Sequence, residues 1–176
     1  MKIIEGLKKI KDLQRKVEDI RKKIAENCAD LESDTPNYEN QTQQVKEWLQ
    51  ACHDIIKEIE TLRLRIQKTN LEVQVSIEVT DGNRVTKSIA AWIHRRKDLA
   101  KLECGIWHSL TTRNLQPTAY REDKSDKNAP VKIANIRKYY NQLERDKKVE
   151  EYTSEPSRID ASLEITNAVT DLLELN

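Results

Sequence analysis

Residues 45–82 read VKEWLQACHDIIKEIETLRLRIQKTNLEVQVSIEVTDG. Val45, Trp48, Leu49, Cys52, Ile55, Ile56, Ile59, Leu62 and Ile66 recur at the three- and four-residue steps that keep apolar side chains on one helical face. At Leu71 the period drops to two. Leu71, Val73, Val75, Ile77 and Val79 then alternate with Glu72, Gln74, Ser76 and Glu78, the pattern of a strand with one covered face. Asp81-Gly82 follows at once, and its tolerance of positive φ predicts a hairpin over about residues 71–86. The return arm, Asn83 to Thr86, is shorter than the outgoing strand. Part of the first strand therefore lacks a local partner, which makes Val73, Val75 and Ile77 candidate contacts to a second copy.

Upstream, Ile3, Ile4, Leu7, Ile10, Leu13, Val17, Ile20, Ile24, Cys28 and Leu31 form another helical stripe, separated from the first by the turn-rich ESDTPNYENQ. The two stripes predict an antiparallel pair of long, coiled-coil-like helices. Downstream, Ser88 suits the N-cap of a third helix carrying Ile89, Trp92, Ile93, Leu99, Leu102, Ile106, Trp107 and Leu110. Residues 111–130, polar and containing two prolines, read as a long mobile loop. A fourth helix is expected from Pro130 to about Glu151, and a fifth after Ser154-Glu155-Pro156, carrying Ile159, Leu163, Val169 and Leu172. The expected fold is a single mainly α domain over residues 1–176, an antiparallel helical bundle with a β-hairpin insertion.

Composition narrows the function classes. The chain has 176 residues, of which 35% are charged, with three Gly and a net charge of +1. No Gly-rich phosphate loop and no nucleophile-elbow motif occur, so Rossmann and P-loop nucleotide binding are not expected. No apolar run approaches the ~18 residues of a membrane span, and the charged start lacks a signal-peptide core, which together predict a cytoplasmic protein. Cys28, Cys52 and Cys104 are odd in number and far apart, as reduced intracellular thiols are.

Several residues invite a chemical reading. Cys104 and His108 share a helix face and could join Cys52-His53 in a zinc site, but Cys52 lies in an apolar stripe and behaves there as a small buried hydrophobe. No metal and no cofactor is therefore expected. His94 stands beside Arg95, Arg96 and Lys97 on a solvated face, and no catalytic residue is assigned. Residues 1–25 carry nine basic and four acidic side chains, whereas residues 149–176 carry seven acids and only Arg158. Such patches pair with each other more readily than with nucleic acid, so the first and last helices should lie together in one chain or across copies. Asn70 suits a helix C-cap in the left-handed conformation, and Asn167 a polar seam or surface position.

Arg65-Ile66-Gln67-Lys68-Thr69-Asn70, the Asp81-Gly82 hairpin with Arg84-Val85-Thr86, Arg95-Arg96 followed by Leu99, and Ile165-Thr166-Asn167 with Thr170-Asp171-Leu172 occur in this order along the chain. In them the chain resembles the septicolysin-like family of small bacterial helical proteins. The resemblance implies a helical bundle with a small β element and, through the family's name, a cytolysin-like membrane activity. Taken together, the residues point to a non-enzymatic, homo-oligomeric helical scaffold or interaction protein. It would bind a protein partner through the 111–130 loop and the face bearing Arg95 and Arg96. A nucleic-acid-binding accessory protein is the alternative.

Overall fold

The computed structural model describes residues 1–80, 82–122 and 130–175. It is mainly helical with two small antiparallel β-hairpins. Two compact units emerge where the sequence offers one domain: Met1–Ile77 with Thr86–Trp92 and Ala161–Asn176, and Glu78–Val85 with Ile93–Asp160. Each is assembled from separated stretches, so no linker marks a boundary.

In the first unit α1 (Ile3–Asn27) packs on α2 (Gln41–Glu72). The pair is antiparallel: Lys9 bonds Glu58 near one end, and Gln41 Nε2 donates to Asn27 O at the other. Asn40 starts α2 because its Oδ1 accepts from Gln43 N–H at 3.0 Å, satisfying a backbone donor that has no partner within the helix. Ile3, Ile10 and Leu13 of α1 and Cys52, Ile59, Leu62 and Ile66 of α2 are buried, as their spacing predicts. Burial of such a face, more than intrinsic helix propensity, stabilises helices of this kind.

Strands β1 (Gln74–Thr80) and β2 (Asn83–Ser88) form the hairpin expected from the alternating residues. Gly82 has φ +78°, a conformation a Cβ disfavours; Asp81 lies outside the described residues. The return arm runs two residues beyond Thr86, and Ser88 both ends it and accepts from Ala91 N–H to cap α3 (Ile89–His94).

The second unit takes up the chain in a π-helical segment, Arg95–Leu99, followed by α4 (Ala100–His108). Described parts of the stretch expected to be a loop form a turn and a strand. Thr112–Leu115 make a tight turn with positive φ at Arg113 and Asn114, and β3 (Thr118–Tyr120) pairs antiparallel with β4 (Lys132–Ala134), Ala119 opposite Ile133. Residues 123–129 lie outside the description.

Here two expectations are corrected. Residues following Pro130 form β4 rather than a helix, and the fourth and fifth helices are one, α5 (Gln142–Val169), with Pro156 inside it. Helix α5 begins where Asn141 Oδ1 accepts from the backbone of Leu143 and Glu144. Ser154 does not cap a new helix; its Oγ turns back to Glu151 O. The proline removes one backbone donor, but buried Glu155 and Ile159 anchor the helix on either side of it and outweigh that loss.

Candidate functional site

The second unit contains one buried charge cluster among its described residues, and it is built on the π-helical segment. Ala100 N–H donates to Arg95 O, five residues back, so the turn holds one residue more than an α-turn. Residue 103 therefore comes to where a residue seven along would stand in an α-helix, two turns on and on the same face as Arg95. From α5, Glu155 approaches the same guanidinium.

The bonding is a double fork. Arg95 Nε donates to Glu155 Oε1 at 2.6 Å and Nη2 to Glu155 Oε2 at 2.9 Å. Its Nη1 reaches Glu103 Oε1 at 2.5 Å and Nη2 reaches Glu103 Oε2 at 3.1 Å. Bidentate pairing of this kind matches the planar guanidinium and is stronger than a neutral hydrogen bond. The Tyr152 ring lies 5.4 Å from the guanidinium carbon and adds a cation–π contact.

Burial separates the two carboxylates. Side-chain exposure is 6% for Glu155 and 14% for Arg95 but 41% for Glu103, so the carboxylate in excess of the single cation remains hydrated. The hydrogen bonds that Arg95 donates to Glu155, then those to Glu103, raise its pKa above the ordinary value. Burial, reinforced by a hydrogen bond to Glu103, raises that of Tyr152.

The Tyr152 shift fixes a pH dependence. The folded chain holds the phenolic proton more tightly than the unfolded chain does, so this contribution to stability is complete below pH about 10. It is lost as pH rises from the unfolded value through the higher folded one. The urea midpoint of the wild type should fall more steeply as pH rises above about 10 than that of Tyr152→Phe, which keeps the ring and removes the titrating hydroxyl. Equal slopes would disprove the linkage.

Of the face read as partner-binding, Arg95 is engaged within the unit while Arg96 stays exposed. Arg95 is enclosed by two carboxylates and an aromatic ring, and Arg96 bonds Asp160. His94 is exposed, as expected. Cys104 Sγ lies 3.6 Å from Thr153 Oγ1 and Cys52 is buried in the first unit; among the described residues no group of three or more His, Cys, Asp or Glu could hold a metal ion.

In the first unit the strand reading is corrected in part. Ile77 is only 2% exposed and cannot offer a free contact to a second copy. Val73 O accepts from Ile89 N–H and Val75 O from Trp92 Nε1, so edge groups expected to be unpaired are satisfied within the chain, while the Val73 and Val75 side chains are half-buried. Asn70 is not a left-handed cap. Helix α2 runs on to Glu72, and Asn70 Oδ1 is buried and accepts no hydrogen bond from the described residues. Asn167 is half-buried in α5. The basic and acidic ends of the chain meet at Asp171, which lies 2.6 Å from Lys2 Nζ and 3.6 Å from the Met1 amine.

Residues the sequence reading missed are Glu103, Tyr152 and Glu155. A signal for Glu155 was present: Tyr152, Glu155, Ile159, Leu163 and Thr166 keep helical spacing, and a carboxylate on an apolar stripe needs a buried partner. Residues 11–172 match the sequence pattern of DUF6847, described as a family of unknown function. The chain belongs to that family. No curated protein sequence matches this DUF6847 chain. Its structure is similar to the crystal structure of a functionally unknown conserved protein from Corynebacterium diphtheriae, with a TM-score of 0.53 and 19% identity over 98% of this chain and 99% of that one. The likeness concerns the fold.

Proposed function

We propose that this DUF6847 chain is a non-enzymatic interaction protein of the cytoplasm that self-associates through an apolar face of its second unit. The observation carrying this reading is uncovered aliphatic and aromatic surface. Leu102 and Ile106, one turn apart on α4, are 64% and 66% exposed, and Leu143 and Tyr139 are 81% and 89% exposed. Among the described residues of that unit, the buried apolar side chains are Ala100 and Ile159. Leu102 and Ile106 share one face of α4, and adjacent exposed apolar side chains of this kind support an interaction site. The buried charges support a structural role: four donor–acceptor contacts of Arg95 go to Glu103 and Glu155. No described helix is long and apolar enough to cross a membrane.

Light scattering tests the proposal. The wild type should exceed the monomer mass of 20.5 kDa at micromolar concentration, and Leu102→Lys/Ile106→Lys should return it to that mass with unchanged circular dichroism. A wild-type monomer would overturn it. The alternative, a nucleic-acid-binding accessory protein, rests on the basic residues within 1–25 and would be favoured by nuclease-sensitive capture of the chain from lysate. Several of those cations are already paired within the unit or the helix: Lys2 with Asp171, Lys9 with Glu58 and Arg21 with Glu18.

A further inference from the structure

The first unit holds Thr170–Glu174 as a receptor holds an extended peptide. Ile3 N–H donates to Thr170 O at 3.0 Å and Leu172 N–H to Met1 O at 2.8 Å, on either side of a β-bridge between Lys2 and Asp171. Leu173 N–H donates to Thr69 Oγ1 at 2.9 Å, Arg65 Nε to Leu173 O at 3.1 Å, and Lys68 Nζ to Glu174 O at 2.9 Å. Recognition through the main chain, with a pocket for selected side chains, is how sheet-edge sites bind extended peptides.

The pocket belongs to Leu172. A Cβ built on Gly6 would stand 2.9 Å from Leu172 Cδ1 and 3.6 Å from Ile66 Cδ1, so glycine at this point in α1 keeps the socket open. Charge adds selectivity. Lys2 pairs with Asp171 and Arg65 with Glu174, and the two carboxylates are 66% and 79% exposed. The exposed carboxylates contribute little each, so the segment is held mainly by the seated Leu172 and by the largely buried Arg65 and Thr69, which bond its main chain.

We propose that Lys2, Gly6, Arg65, Lys68 and Thr69 form a recognition site for an extended acidic peptide of the Asp-Leu-Leu-Glu type on a partner protein, with the chain's own Thr170–Glu174 as its displaceable resident. The complementarity of three cations to an acidic, leucine-bearing segment selects this occupant over a basic or purely apolar one. The site is separate from the apolar face of the second unit, and its test does not depend on self-association.

The probe is a labelled peptide, AVTDLLELN, matching residues 168–176. Occupancy by the resident segment lowers apparent affinity by the fraction of open sites, so the full-length Leu172→Asp chain should bind the peptide about tenfold or more tightly than wild type. Arg65→Gln in that background should remove the gain. A folded Leu172→Asp chain that does not bind the peptide overturns the proposal. If that variant fails to fold, hydrogen exchange on the wild type decides: Leu172 and Leu173 amides should exchange about 100-fold faster than that of Ile59, by local opening. Exchange of all three at one common rate would show the segment to be a fixed part of the fold.

Discussion

Glu155→Ala should destabilise the chain by about 3–5 kcal/mol, because it leaves the Arg95 guanidinium buried with half its bidentate partners gone. The remaining carboxylate, Glu103, is partly exposed and bonds Arg95 through Nη1 and Nη2, whereas Nε donates to Glu155. Glu155→Gln should cost less, since it retains one acceptor and the volume of the side chain. The decisive comparison is with Arg95→Met/Glu155→Leu. Removing both buried charges removes their desolvation cost as well as their attraction, so the double variant should recover most of the stability lost by Glu155→Ala. Urea denaturation followed by circular dichroism gives all three values. If the double variant is as unstable as the single one, the loss comes from packing at the cluster rather than from an uncompensated buried charge.

That cluster also shows where sequence reasoning stops. The stripes of α1 and α2, the alternation of β1 and the Ser88 cap were legible because each depends on residues close together in the chain. The Arg95 site depends on an extra residue in one helical turn and on a helix continuing through Pro156. Neither has a local signature. Pro156 and the preceding Ser154 resemble a stop followed by a new cap, and the packing of Ile159 and the pairing of Glu155 override that preference. With the helix broken at that point, Glu155 fell off the stripe that would have marked it as buried. The strand at Val73–Ile77 was misread for a related reason. Its pattern showed an apolar face, but not that the indole of Trp92 and the backbone of Ile89 would satisfy carbonyls on its edge.

Trp92→Ala should produce a loss of similar size in the first unit, about 3–5 kcal/mol, from the cavity left by a large core side chain. Trp92 is fully buried, and its Nε1 donates to Val75 O at 2.9 Å. The variant thus loses packing and deprives a strand carbonyl of its donor at the same time. At about 2–4 °C per kcal/mol for a chain of this size, the melting temperature should fall by about 6–20 °C. Trp92→Phe separates the two effects. It fills most of the volume but cannot donate, so its cost should lie near the about 1–3 kcal/mol of an unsatisfied buried acceptor. A Trp92→Phe variant as unstable as Trp92→Ala would mean that the hydrogen bond to Val75, rather than the filled volume, ties α3 to β1. In that case Val75→Thr, which leaves the backbone carbonyl in place, should be tolerated while Trp92→Phe is not.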